Sequence, residues 1–189
     1  MTSRLPALLG IAILCATAAC GDPTRPRAEL NVIIDTVSLY ALNGGPDYAP
    51  VAFSVSDGRL RSINSGLQFD VAVDLDTQGR VVLYPVNLVG NPLASAARVG
   101  IQKVQGTFEA LTRAPRSGYQ SDSAVVLRPG EVAAVQVTNP ICLYSTVGLQ
   151  MYGKFAVDSV SLSERRIFGK LATDPNCGFR SLEPGLPKE

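Results

Sequence analysis

The stretch that decides the fold class is residues 67–86, LQFDVAVDLDTQGRVVLYPV. In its first half, apolar side chains occupy every second position, at Leu67, Phe69, Val71, Val73 and Leu75. A period of two is typical of a β-strand with one face packed on a core and the other facing water. The stretch therefore predicts a half-buried strand whose polar face is solvated.

The centre of the same stretch predicts a hairpin. Residues 77–79 form a three-residue loop, and Gly79 takes the left-handed position that such a loop needs. This register places Asp76 opposite Arg80 as an opposite-charge pair and puts Val81 and Leu83 on the apolar face. A slip of one residue would expose that face, so the pattern also fixes the register.

The remaining chain repeats the pattern in shorter pieces separated by turn signals. Further strands are predicted at residues 31–41, 51–55, 99–108, 124–127, 131–138, 152–162 and 167–172. Eight to ten short strands without an amphipathic helix indicate an all-β fold, an antiparallel β-sandwich, with a closed β-barrel as the alternative. We expect one β domain over residues 30–178, followed by a loose C-terminal tail, residues 179–189, that contains Pro184 and Pro187.

The N-terminus has the order of a secretory signal peptide. Arg4 precedes an apolar run, which small residues and Cys20 follow. The uninterrupted run covers residues 5–19, 15 residues, whereas a membrane-spanning helix needs about 20. These residues predict an export signal rather than a transmembrane helix.

The end of this signal, Thr17-Ala18-Ala19-Cys20, resembles the lipobox of bacterial lipoproteins, although Thr17 stands where that family usually has Leu. The resemblance implies removal of residues 1–19, a diacylglycerol thioether on Cys20, and residues 20–29 as lipidated cysteine and flexible tether. Gly21 follows Cys20 in place of the Asp that retains many lipoproteins in the inner membrane, which favours the outer membrane. The alternative is ordinary cleavage after Ala18, which leaves a soluble secreted protein with a free thiol.

The cysteine count bears on this choice. An exported chain that keeps Cys20, Cys142 and Cys177 holds an odd number of thiols, which is unusual without a partner. Lipidation of Cys20 leaves the other two to form a disulfide that closes a loop of 36 residues. A redox role is disfavoured, because the chain has neither a Cys-x-x-Cys motif nor a histidine to lower a thiol pKa.

Composition restricts the functions available to the domain. Without residues 1–19 the chain has 16 basic and 16 acidic side chains, so it lacks the positive charge of proteins that bind nucleic acid or anionic lipid. The complete absence of His excludes His-based acid–base catalysis and His-ligated metal sites. No cofactor is predicted.

Two candidate sites lie in the hairpin. Asp74, Asp76, Gln78 and Gly79 match the first half of an EF-hand calcium loop, but Pro85 stands at position twelve, so a turn capped by Asp is favoured. Asp70 shares a strand face with Asp74 and Asp76, and carboxylates two residues apart on a strand are about 6.8 Å apart, as in some glycosidases. Alternation alone explains these positions equally well.

Tyr48, Tyr119 and Tyr144 fall in predicted loops, where recognition residues concentrate. With the anchor and the missing catalytic groups, they favour a lipid-anchored cell-envelope protein whose β domain is not an enzyme. The domain is expected to bind another envelope protein or a glycan, or to have a structural role. The alternatives are a carboxylate-dependent glycan hydrolase and a small-ligand carrier with an apolar barrel interior.

Overall fold

A computed structural model describes residues 26–62, 69–90 and 98–187 of the chain. The predicted lipidation site Cys20, the first half of the tether and Leu67 lie outside these ranges. The described residues form ten strands, a short helix α1 (Val86–Val89) and a 3-10 helix (Pro140–Tyr144). The strands are β1 (Ile33–Tyr40), β2 (Ala52–Phe53), β3 (Leu60–Arg61), β4 (Val71–Leu75), β5 (Val81–Pro85), β6 (Arg98–Val104), β7 (Val125–Leu127), β8 (Val132–Thr138), β9 (Gln150–Ser161) and β10 (Arg166–Asp174).

The described residues form two five-stranded antiparallel sheets. The first sheet has the order β1-β10-β9-β8-β6 and the second has the order β3-β2-β4-β5-β7. Each sheet keeps two edge strands among the described residues, so the predicted sandwich is confirmed and the closed-barrel alternative is wrong. No helix in the described ranges is long and apolar enough to cross a bilayer.

The space between the sheets is filled by apolar side chains. The rings of Phe53 and Phe155, one from each sheet, stack with centroids 5.5 Å apart. Around them lie fully buried residues from both sheets, including Leu39, Val71, Val73, Leu83, Ile101 and Ile167. A packed interior of this kind is typical of a sandwich core.

The central hairpin forms in the predicted register. Leu75 pairs with Val81 and Val73 pairs with Leu83, so the apolar side chains of both strands share one face. Gly79 has φ +74°, the left-handed conformation that the loop requires. The Arg80 amide and the Arg80 Nε donate hydrogen bonds to the Asp76 carboxylate over 2.9 and 2.6 Å.

The other face of β4 differs from the prediction. Alternation predicts that this face contacts water, yet all five residues of β4 are buried, as is Asp70 just before it. The connection that follows β2 covers one end of this face. The connection after β1, together with the β9–β10 hairpin, covers the other end. The prediction is wrong because segments distant in sequence bury this face. The local periodicity of a strand contains no information about such segments.

A second apolar layer covers the outer face of the first sheet. Phe108, Leu111, Ala114 and Leu182 pack on Ala134, Tyr152, Ala156 and Ala172 of β8, β9 and β10. Residues 179–187 are therefore not the predicted loose tail. Leu182 is fully buried, and its amide donates to the Thr112 carbonyl, while the Val32 amide donates to the Gly185 carbonyl. Apolar side chains and backbone hydrogen bonds hold the segment despite its prolines.

The disulfide between Cys142 and Cys177 is confirmed, with the two Cα atoms 5.5 Å apart. It joins the 3-10 helix between β8 and β9 to the turn after β10. The neighbouring Asn176 holds the N-terminal chain: its Oδ1 accepts hydrogen bonds from the amides of Glu29 and Leu30, each over 3.0 Å, and its Nδ2 donates to the Leu30 carbonyl. Thus the last residues of the predicted tether are fixed to the domain beside the disulfide.

Candidate functional site

Asp70 is buried at the start of β4 and bonded within the domain. Its carboxylate accepts a hydrogen bond from the Val55 amide over 2.6 Å and one from the Ser54 hydroxyl over 3.1 Å. Burial raises the pKa of Asp70 above its usual value, although these hydrogen bonds offset part of the effect. The side chain fixes the segment after β2 to β4.

Asp74 connects the two sheets at the other end of β4. Its carboxylate accepts hydrogen bonds from the amide and side chain of Asn43, which follows β1. The Arg165 guanidinium, from the β9–β10 hairpin, lies 3.0 Å from the same carboxylate. Asp74 therefore holds together three segments and does not face open solvent.

Asp76 caps the hairpin turn. Beyond the bonds from Arg80, its Oδ1 accepts a hydrogen bond from the Gln78 amide over 2.9 Å. The Arg80 backbone and side-chain hydrogen bonds lower the pKa of Asp76. Across the ranges that the structure describes, no group of three or more acidic or thiol side chains is arranged to hold a metal ion. Asp74, Asp76 and Gln78 thus form turn and inter-sheet contacts.

The three candidate tyrosines do not converge. Tyr119 lies over the outer face of the first sheet, where its ring packs near Tyr152 and its hydroxyl donates to the Pro115 carbonyl over 3.0 Å. Gly100 makes room for it, since a Cβ there would lie 2.7 Å from the Tyr119 Cβ. Burial strongly raises the pKa of the Tyr119 hydroxyl. This residue is part of the covering layer.

Tyr48 and Tyr144 are the two exposed tyrosines of this set, at 86% and 94%. Tyr48 lies between β1 and β2, and Tyr144 lies between β8 and β9. Because β1 ends where β9 ends, these two connections are at opposite ends of the sandwich. No single surface collects Asp70, Asp74 and the loop tyrosines.

The structure instead forms a cleft that the sequence patterns did not reveal. It lies on the outer face of the first sheet beside β1, has a volume of about 430 Å³, and is lined by residues of β1, of the segment 108–112 and of the segment 182–184. Its charged lining residues are Asp35, Glu109, Lys154, Lys170 and Glu183. Both signs of charge therefore meet around a partly apolar floor.

Lys154 is the most unusual of these residues, because its side chain is buried. Its Nζ donates to the carbonyls of Phe108 and Leu111 over 2.6 and 2.9 Å and lies 4.2 Å from the centroid of the Phe108 ring. Burial lowers the pKa of Lys154, and the nearby carboxylates of Glu109 and Glu183 act in the opposite direction. The ammonium group thus holds the segment 108–111 on the sheet.

The position of Lys154 follows from its strand neighbours. In the sheet it pairs with Ala172 on one side and Ala134 on the other. Two small side chains leave space above the sheet, which lets the covering segment come close enough to supply its carbonyls. In the sequence, the sign of this buried lysine is its position between Tyr152 and Ala156 on the same strand face. Its hydrogen-bond partners lie more than 40 residues away in sequence, so a local pattern does not identify them.

The edge of β1 borders the cleft. The Val32 amide donates to Gly185 and the Tyr40 amide donates to Pro50, both on the side away from β10. In an antiparallel strand the backbone groups of every second residue point to the same side. Ile34, Thr36 and Ser38 therefore direct their N–H and C=O groups away from β10, where the described residues place no further strand.

The ion pairs at the cleft mouth are exposed. Lys170 Nζ lies 2.8 Å from Glu109 Oε1, and this contact lowers the pKa of Glu109 and raises that of Lys170. Exposed pairs of this kind stabilise a fold little, so both side chains can exchange partners. Glu183 adds a further negative charge near Lys154, and Asp35 borders the cleft from β1.

Comparison of the chain with protein-family models, with curated proteins and with solved structures finds no match.

Proposed function

We propose that this chain is a lipid-anchored protein of the bacterial cell envelope, and that its β domain is a non-catalytic module that binds an extended segment of another envelope protein beside β1. The observation that carries the proposal is the open edge of β1 next to the cleft. A peptide added there would bond to the backbone of Ile34, Thr36 and Ser38, and its alternate side chains would enter the cleft.

The lining of the cleft favours a protein segment over an uncharged ligand. Lys170 and Glu109 offer a cation and an anion that can each re-pair with a side chain of the partner. Ile34, Phe108 and Leu182 provide apolar surface between them. Strand pairing would supply affinity, and this charge pattern would supply selectivity.

The state of the carboxylates supports a non-catalytic role over the glycan-hydrolase alternative. A hydrolase needs two carboxyl groups that face one substrate. Asp70 is bonded to Val55 and Ser54, and Asp74 is bonded to Asn43 and Arg165, at opposite ends of β4. With these contacts in place, Asp70 and Asp74 do not face a common open space.

The anchor part of the proposal rests on the lipobox resemblance and on the paired Cys142 and Cys177, which leave Cys20 as the one unpaired thiol once residues 1–19, with Cys15, are removed. In cells fed labelled palmitate, the wild-type protein should carry the label and sediment with outer membranes. Cys20→Ser should lose the label. Labelled Cys20→Ser protein would overturn the anchor.

The binding part is tested by a photo-crosslinking amino acid at Ile34, whose side chain faces the cleft, with the same group at exposed Gln78 as the control. We expect one recurrent envelope protein to be crosslinked from position 34 and not from position 78. Adding Thr36→Pro removes the outward N–H of an edge strand, which such strands tolerate, and should abolish the crosslink, whereas Thr36→Ala should keep it. Equal crosslinking in both variants would overturn strand addition.

A further inference from the structure

The connection between β8 and β9 presents an unusual apolar surface. We call residues 139–150 the end loop. It contains no charged residue, and it holds four of the ten exposed large hydrophobic residues among the described part of the chain: Ile141, Leu143, Tyr144 and Leu149. Ile141 is 70% exposed and Leu143 is 65% exposed. Exposed apolar groups concentrated in this way commonly mark an interaction site.

The end loop is held in this conformation. Asn139 Oδ1 accepts a hydrogen bond from the Ile141 amide over 3.0 Å and caps the 3-10 helix. Cys142 is buried and bonded to Cys177, so it fixes the inner side of the helix. Residues three apart in a 3-10 helix lie on one face, which places Ile141 and Tyr144 together on the outer side. The Asn139 cap and the disulfide therefore hold the loop in a defined conformation in which these side chains are exposed.

The same end of the sandwich receives the N-terminal chain. Asn176, adjacent to the disulfide, binds the backbone of Glu29 and Leu30, and Leu30 is itself exposed. Nine residues lead from Cys20 to Glu29, and at about 3.3–3.6 Å per residue they reach about 30 Å at most. An acyl chain on Cys20 would therefore keep the end loop within one tether length of the bilayer.

We propose that the end loop inserts Ile141, Leu143 and Tyr144 into the interface of the membrane that holds Cys20; this inference rests on the lipid anchoring proposed above. With no net charge in the exported chain, contact with the membrane depends on apolar burial. Aliphatic side chains enter the acyl boundary, and the amphipathic ring of Tyr144 suits the headgroup level. The domain would then stand end-on, with its cleft facing sideways along the membrane.

The chain has no tryptophan, so a single substitution supplies a specific probe. Lipidated protein, processed to begin at Cys20 and carrying Tyr144→Trp, is reconstituted into vesicles of phosphatidylethanolamine and phosphatidylglycerol. Tyr48→Trp, an equally exposed tyrosine at the opposite end, is the matched control. We expect the emission of the Tyr144→Trp protein to shift to the blue and to be quenched by brominated acyl chains, while the control retains water-exposed emission.

Flotation of the vesicles separates the two proposals. Protein that floats with the vesicles while the Tyr144→Trp probe remains unquenched overturns membrane insertion and leaves the anchor standing. That is also the result expected if the end loop binds a protein instead. Protein that fails to float overturns the anchor and the insertion with it.

Discussion

Two acidic residues, Asp70 just before β4 and Asp74 within it, attach different segments of the chain to the same face of this strand. Asp70 fixes the segment after β2, and four positions later Asp74 joins Asn43 and Arg165. A buried carboxylate is tolerated only where donors satisfy it. The burial of each of these acids therefore depends on the packing of the segments that supply its hydrogen-bond donors.

Substitution of Asp70 should change how stability depends on pH. Because the folded pKa is raised, protonation of Asp70 adds stability that is present below the unfolded pKa and is lost as pH rises through the folded pKa. In urea unfolding between pH 3 and 7, the free energy of unfolding of the wild type should therefore increase relative to that of Asp70→Asn as the pH falls. Asp70→Ala, which leaves the Val55 amide without its acceptor, should lose about 1–3 kcal/mol at neutral pH.

Asp158→Asn, at an exposed position of β9, is the control for the loss of one negative charge. A difference between wild type and Asp70→Asn that stays constant over this pH range would contradict the assignment of a raised pKa to Asp70.

At the scale of elements, the two sheets meet through their hairpin turns. The turn between β4 and β5 contains Gly79, and a Cβ at Gly79 would lie 2.8 Å from Leu162 Cδ2 in the turn between β9 and β10. The backbone conformation favours glycine at this position, whereas the close contact is with the end of an exposed leucine side chain that can move aside.

Gly79→Ala should destabilise the domain by slightly more than Gly130→Ala. Both glycines have positive φ, which costs a residue with a Cβ about 1–2 kcal/mol. A Cβ at Gly130 would meet no other atom within 4 Å, so that variant carries only the backbone cost. Urea midpoints measure the difference, and adding Leu162→Ala should reduce the excess at Gly79. If Gly130→Ala were the more costly variant, the contact between the turns would not matter.

Much of the structure of the β4–β5 hairpin can be predicted from the sequence. Alternation from Phe69 to Leu75 and the glycine at position 79 predict the hairpin, its register and the pairing of Asp76 with Arg80, because all of these interactions are local. The burial of Asp74 could not be predicted in this way, since Arg165 lies 91 residues away. The cleft escapes prediction for the same reason: Lys154 depends on carbonyls of a segment 43–46 residues earlier.

At the scale of the molecule, the part of the chain that the structure describes has three layers: two sheets and a cover of chain segments over the first sheet. Leu182 belongs to the cover and is fully buried, whereas Leu186, four residues later, is exposed. The cover also forms one wall of the cleft, so its packing and the proposed binding site are linked.

Leu182→Ala should therefore destabilise the protein by about 2–5 kcal/mol, the usual cost of a cavity in a core. Leu186→Ala should change the free energy of unfolding by less than about 0.5 kcal/mol, as is usual at exposed positions. Chemical denaturation of the two variants in parallel gives the comparison. Equal small effects would mean that residues 179–187 do not pack on the sheet in solution.

The contacts of Asn176 have a mechanical consequence. β1 is an edge strand, and tension on its N-terminal end would peel it from β10 one residue pair at a time, the weakest way to load a sheet. Asn176 accepts hydrogen bonds from the amides of Glu29 and Leu30 and donates one to the Leu30 carbonyl, and these bonds would bear the force before it reaches Ile33. Through its disulfide bond, the adjacent Cys177 would transmit this tension to the connection between β8 and β9. Drag on a tethered domain would thus be shared by the interior strands of the sheet, and the edge strand would keep its place.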